Sequence, residues 1–283
     1  MAGRMIAPGI AVPEGTCDTH IHIYGPPDRY PSVSTTPFPV PDAPAPAFRL
    51  TMMEGLGIDR AVVVQPSAYG KDNSCTLDAV AELGASARAV VVVDTDTADE
   101  DLQRMTDGGA RGVRFHMLPG GVLPWEILEE MAARVHGFGW HVQLQMDGRD
   151  LPEREEMLFR LPGTLVIDHT GKFLEPVAAD HPGFRTLLRL VDTGRVWVKL
   201  SAPYETSRSG APDYSDVGTL ARALIAAAPE RMVWASNWPH PSAQDNLPDD
   251  KALMATILGW MGDDGTRRRI LVDNPAELYG FDQ

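Results

Sequence analysis

Two histidines stand two residues apart in Asp18-Thr19-His20-Ile21-His22, inside an apolar run near the start of a chain of 283 residues. Near the other end stands Val233-Trp234-Ala235-Ser236-Asn237-Trp238-Pro239-His240. Paired imidazoles can pass a proton near neutral pH or hold a metal ion. A carboxylate facing them would add an anionic ligand and a base. Here the last apolar run ends on Asn237 instead, an amide that can orient a hydroxyl or hydrogen-bond a carbonyl oxygen but cannot take a proton.

Other apolar runs end on polar groups as well. In Gly109-Ala110-Arg111-Gly112-Val113-Arg114-Phe115-His116, alternation puts Arg114 and His116 on one face, late in the run, and Arg111 on the other. Arg114 is therefore the candidate for a bidentate carboxylate clamp. Arg111 is expected to pair with a helix carboxylate. His116 either faces a ligand or caps the strand. In Val166-Ile167-Asp168-His169, His169 is expected to emerge at the end and Asp168 to point away, anchoring the next loop. Lys199, inside Val196-Trp197-Val198-Lys199-Leu200, needs a partner if it points inward. It is either paired to a carboxylate or an electrophile beside the substrate. Gln143 and Gln145 offer hydrogen bonds without metal preference. His136, His141 and His181 read as structural. Cys17 is expected on the face opposite His20 and His22, toward the helices, which argues against a Cys-His nucleophile.

His20, His22 and His169 could supply three nitrogens to zinc, which usually takes three or more protein ligands including a carboxylate at hydrolytic centres. With Asn237 in place of an acid, that neutral set holds a divalent ion poorly. No cofactor is expected, with zinc as the alternative.

These residues need a scaffold that brings many strand ends together. Strand-like runs occur at Thr16–Ile23, Arg60–Pro66, Ala87–Asp94, Ala110–Met117, Trp140–Met146, Leu165–Thr170, Val196–Ala202 and Arg231–Trp238. Helical spacing lies between them at Ser74–Gly84, Trp125–His136, Phe184–Asp192 and Val217–Ala228, and Thr97 followed by Glu100 forms a capping-box pattern. About eight β-then-α units predict a closed barrel of the (β/α)8 TIM type, α/β in class. An open dinucleotide-binding sheet is disfavoured, since no G-x-G-x-x-G follows His22. The whole chain, 1–283, reads as one domain. The irregular part is 24–46, with eight prolines. It leaves the first strand at the face where barrel sites lie, as an active-site wall or lid or as a stiff crossover.

The net charge of −14 excludes a nucleic-acid partner and requires any anionic substrate to meet local cations. No apolar run reaches the roughly 20 residues of a membrane span. Met1-Ala2-Gly3-Arg4 lacks a signal-peptide core, and two cysteines make no disulfide framework, so a cytoplasmic location is expected. Homo-oligomerisation stays open.

Four motifs in order, Asp18-Thr19-His20-Ile21-His22, Gly112-Val113-Arg114-Phe115, Ile167-Asp168-His169-Thr170-Gly171 and Asn237-Trp238-Pro239-His240-Pro241, resemble the amidohydrolase superfamily over essentially the whole chain. The similarity is to its branch of pyrone-dicarboxylate lactonases, fuconolactonase-like enzymes and galactarolactone isomerases. It implies a (β/α)8 barrel and lactone chemistry, in several members without a metal. It implies His20, His22, His169 and Asn237 as catalytic residues, and Arg114, His116, Gln145, Lys199, Tyr204 and His240 as substrate contacts. Pyrone-dicarboxylate lactonases carry an aspartate where Asn237 stands, and basic residues where this chain has Leu118-Pro119-Gly120-Gly121. With Asp168–Phe173, Tyr204–Ser207 and Ser236–His240, that loop looks more like the galactarolactone-isomerase side.

The expected substrate is thus a small sugar-acid or dicarboxylate-type lactone. Ring isomerisation uses the substrate's own tethered hydroxyl, for which effective molarities reach ~10⁵ M, so it needs less help from a base than hydrolysis. Hydrolysis remains the rival. The alternatives are a metal-dependent hydrolase or decarboxylase of the same superfamily, and a barrel that binds without turnover.

Overall fold

The computed structural model of the protein describes residues 4–7, 10–33 and 39–282. Short runs of β-branched and other apolar residues form eight parallel strands: β1 (Cys17–Ile21), β2 (Arg60–Val64), β3 (Ala87–Val91), β4 (Ala110–His116), β5 (His141–Gln145), β6 (Leu165–Ile167), β7 (Val196–Leu200) and β8 (Met232–Trp234). They stand in sequence order in one sheet. Nearly every strand residue is buried, as a sheet filled on one face and covered by helices on the other requires.

The sheet closes on itself where β1 meets the residues at and after β8. Thr19 Oγ1 donates to Trp234 O (2.8 Å) and Ser236 N to Asp18 Oδ1 (3.0 Å). Asn237 N donates to His20 O (3.0 Å) and His22 N to Trp238 O (2.8 Å). A single-domain (β/α)8 barrel results.

Helices Ser74–Leu83, Asp99–Asp107, Leu128–His136, Leu151–Arg160, Pro182–Asp192, Ser215–Ala227 and Asp250–Met261 follow β2 to β8 in turn. Their stripes are those of amphipathic helices: Phe184, Leu187, Leu190 and Val191 are buried on one, while Arg189 faces outward. Helix Asn274–Tyr279 instead covers the barrel floor. Ala276, Tyr279 and Phe281 pack on Cys17, Val62, Val64 and Val90 as a cluster separate from the helix-facing core.

Three expectations need correction. The register shifts between Asp18 and Ile21, so alternation along β1 is broken. Cys17 therefore joins the floor cluster rather than the helix-facing core, and burial raises its thiol pKa, which still rules it out as a nucleophile. The capping box does not form: Ala98 is the N-cap of Asp99–Asp107, while Thr97 Oγ1 exchanges hydrogen bonds with Asp94. Strands β6 and β8 are shorter than their apolar runs suggest, because backbone turns begin at His169 and after Trp234. An N-terminal hairpin, Arg4–Ala7 with Ile10–Val12, precedes the barrel.

The loops after β5 and β6 meet through backbone. A Cβ on Gly183 would lie 2.3 Å from Gly148 O, and one on Gly148 would lie 2.4 Å from Gly171 O. Neither carbonyl can swing aside as a side chain would. Gly183→Ala is expected to lower stability by about 1–3 kcal/mol. Urea unfolding followed by fluorescence measures this, and an unchanged midpoint would contradict it.

Candidate active site

The polar side chains of the barrel converge at the C-terminal ends of its strands. Val64 O receives His22 Nδ1–H (2.8 Å), which leaves His22 Nε2 as an acceptor. The His20 Nε2 atom lies 3.3 Å away and supplies the proton between them. His20 Nδ1 then accepts, and Lys199 Nζ and Gln143 Nε2 both stand 3.4 Å from it. Lys199 also donates to Thr19 O (2.8 Å) and Gln143 Oε1 (2.7 Å). Burial lowers its pKa to about 8, against the pull of Asp168, so the ammonium persists at neutral pH.

Asp168 is the carboxylate of this group, and it does not point away as the sequence suggested. Its Oδ1 lies 3.3 Å from His20 Nδ1 and 3.6 Å from Lys199 Nζ, and its Oδ2 accepts from Gln143 (3.0 Å). Alternation from inward Val166 carries Asp168 inside. The left-handed turn at His169 and Thr170 then brings His169 in beside it, with ring centroids of His169 and His20 4.9 Å apart. Ser201 Oγ pairs with His169 Nδ1 at 2.8 Å, leaving Nε2 for a ligand. Burial depresses His20 and His169 well below the usual range and His22 to about 3, so all three are neutral bases at neutral pH.

Arg114 is 6% exposed and donates to Gln65 O (2.8 Å) and Gln145 Oε1 (3.1 Å), with His116 Nδ1 3.4 Å from its Nη2. Its Nε has no partner, and among the described residues no carboxylate lies within ion-pair distance of it. Burial and the Arg114 charge lower His116 to about 3. Arg111, by contrast, caps Thr106 O and Ala110 O rather than a helix carboxylate.

Asn237 reaches His20 through its backbone only. Its side chain donates to Tyr204 OH (2.9 Å) and lies 3.5 Å from Glu205 Oε1. Tyr204 OH pairs with His240 Nδ1 (2.9 Å), and His240 Nε2 with Asp250 (3.0 Å). Lys172 and Ser242 both donate to Glu205. Burial pushes Glu205 up, but Lys172 and Ser242 outweigh it and hold its carboxyl below the usual range. All seven described non-glycine residues with positive φ, among them His169, Lys172, Asn237 and His240, follow β6, β7 or β8. Such backbone strain gathers at functional sites. Tyr24, at the base of the proline-rich segment, is buried with its ring 6.4 Å from His22 and its N–H on Ala43 O (2.9 Å); residues 34–38 of that segment lie outside the described residues.

Gln65, Asp168, Lys172, Ser201 and Glu205 were not among the expected site residues, and Gln143 was expected only as a hydrogen-bonding group. Gln65 and Asp168 had a legible signal, a polar residue ending an apolar run. The Lys172–Glu205 contact had none, being a pairing across two loops. His141 and His181 are structural as expected: one stacks edge-on against Tyr279 (5.3 Å), the other caps helix Pro182–Asp192.

Potential ligand atoms of His20, Asp168 and His169 lie within 4.8 Å of one another, a group able to hold a metal ion, with Asp168 in place of the expected His22. The Lys199 ammonium already lies within this group, 3.6 Å from Asp168 Oδ1 and 3.4 Å from His20 Nδ1. A divalent cation would have to share that space with a like charge, so the set suits the resident ammonium better.

Neutral imidazoles, a buried guanidinium and a buried ammonium at the mouth of a parallel barrel define an enzyme site of the β/α-barrel type. Residues 17–281 match the amidohydrolase family. The chain is 40% identical over 276 residues to D-galactarolactone isomerase of Agrobacterium fabrum (strain C58 / ATCC 33970), covering 96% of this chain and 94% of that protein. It is 34% identical to 2-pyrone-4,6-dicarboxylate hydrolase of Comamonas testosteroni, over 96% of this chain and 92% of that one. An apo crystal structure from Agrobacterium tumefaciens superposes with a TM-score of 0.90 at 39% identity, covering 98% and 99% of the two chains. The chain belongs to the amidohydrolase family.

Removing Asp168 strands the buried Lys199 charge. Asp168→Ala is expected to cost about 3–5 kcal/mol of folding stability, and adding Lys199→Met to restore most of it. Chemical denaturation of the two variants decides this; equal losses in both would disprove the pairing.

Proposed function

We propose that this enzyme isomerises the lactone ring of a small sugar acid by intramolecular transesterification, without a metal. The observation that carries the reading is Arg114, a buried guanidinium with no carboxylate partner beside three neutral imidazoles. An uncompensated buried charge is costly, so the site is built for an anion that arrives with the substrate. The 40% identity to a galactarolactone isomerase supports the same substrate class.

Arg114, with Gln145 and His116, grips the carboxylate. The substrate's hydroxyl attacks the ring carbonyl carbon, a new C–O bond forms and the ring C–O bond breaks. A neutral imidazole among His20, His22 and His169 takes the proton from the attacking oxygen and returns it to the leaving one, so no water is consumed. The positive charge of Lys199, buried behind His20, favours the negative charge that builds on the carbonyl oxygen. The Asn237 amide group has its N–H side on Tyr204 and Glu205, so its carbonyl is left to orient the hydroxyl. The Tyr204–His240–Asp250 chain holds that amide in place. The described parts of the proline-rich segment, 24–33 and 39–46, wall the mouth beside Tyr24. Hydrolysis is the second reading, favoured by Asp168, whose negative charge among the imidazoles would stabilise one that takes a proton from water.

Sugar-acid lactones followed by NMR in ¹⁸O-labelled water separate the two. A change of ring size without label, at a rate that survives chelation, is the expected result; label in an open-chain acid means hydrolysis. Asn237→Asp should raise the labelled fraction by supplying a base.

The pH profile follows from the shifts. The imidazoles stay neutral well below pH 6, so the acid limb should be late. Lys199 loses its proton as pH rises through about 8, so kcat/KM should fall there. Lys199→Met should be slow and lack that alkaline limb; an unchanged limb would assign it to another group.

A further inference from the structure

The mouth of the barrel holds a second cation whose charge is already answered. Lys172, three residues beyond His169, is nearly buried, and so is the side chain of Glu205 that accepts its hydrogen bond. The opposite oxygen of Glu205 accepts from Ser242 Oγ and faces Asn237 Nδ2 at 3.5 Å. An ammonium, a hydroxyl and an amide from the loops after β6 and β8 thus converge on one carboxylate. Those are the donors that would hold a carboxylate or sulfonate of a ligand.

The cluster belongs to the site rather than to a distant surface. Asn237 N is bonded to His20 O. The Lys172 charge reaches His20, His116 and His169, and the Glu205 charge reaches Arg114 and His116. Lys199 is answered by Asp168. Of the three buried cations among the described residues, only Arg114 lacks a protein anion within ion-pair distance.

We infer that Glu205 fills, with a carboxylate of the protein, the place where a second anionic group of a ligand would sit. Glu205 is thereby a specificity-determining residue: the enzyme takes lactones bearing one negative charge and rejects those bearing two. A second carboxylate would meet Glu205 instead of Lys172, and like charges brought together at such short range repel strongly. This rests on the lactone reading above and adds the charge of its substrate.

The test measures binding by calorimetry of two pyrones that differ by one charge, 2-pyrone-6-carboxylate and 2-pyrone-4,6-dicarboxylate, since neither carries the hydroxyl that isomerisation needs. Wild type should bind the dicarboxylate about tenfold or more weakly than the monocarboxylate, the worth of one well-placed charge contact. Glu205→Ala should tighten the dicarboxylate by about tenfold or more and leave the monocarboxylate nearly unchanged. Glu205→Gln should fall between. The gain should vanish in Glu205→Ala with Lys172→Met. A folded Glu205→Ala with no gain toward the dicarboxylate, or a wild type that binds both pyrones equally, overturns the inference but leaves lactone chemistry standing. A wild type that turns over no galactarolactone removes the underlying reading instead. If Glu205→Ala does not fold, the wild-type comparison of the two pyrones decides.

Discussion

The seam between the first and last strands is the constraint on which the site depends. Closing a ring of eight strands forces β1 against the chain that leaves β8, and the bonds that do it run through Asp18, Thr19, His20 and His22 on one side and Trp234, Ser236, Asn237 and Trp238 on the other. Asp18 and Ser236 are separated by 218 positions in sequence. The backbone of the two histidines is therefore spent on closure, and their rings are fixed where the barrel is fixed. A site placed on the seam inherits the rigidity of the whole sheet.

Charge inside the barrel is distributed against the character of the molecule as a whole. The chain carries a net charge of −14, yet Arg114, Lys172 and Lys199 are buried at its mouth. Two are held by carboxylates and one by neutral carbonyl groups, of Gln65 and Gln145. That asymmetry turns a set of polar residues into an oriented anion site within an otherwise repelling field. The imidazoles feel the same arrangement, since burial and the surrounding cations both disfavour their charged form.

Much of this was legible in the sequence. His20, His22, Arg114 and His169 each end or nearly end an apolar run, and strand alternation in a barrel carries such residues to one mouth. The barrel itself was legible from the count of strand-helix units. Asp168 was misread because its strand was extended through Thr170, whereas the backbone turns left-handed at His169, a conformation that sequence assigns first to glycine. The face of Cys17 was misread because a register shift in β1 leaves no mark in residue type. The partners of Asn237 and the Lys172–Glu205 contact were beyond reach, since each depends on how two loops distant in sequence lie in space.

The floor of the barrel has a temporal meaning. Cys17, Val62, Val64 and Val90 are sealed by Ala276, Tyr279 and Phe281, so the earliest strands find their lower covering only in a segment beyond the eighth strand. A nascent chain emerging from the ribosome can pair β1 with β2, but it has no partner for the other edge of β1 and no plug for its interior until the segment after β8 has been made. Sequential, domain-wise folding during synthesis is thus closed to this barrel as a whole. The half-built sheet keeps an open edge at β1 and an uncovered floor until helix Asn274–Tyr279 arrives.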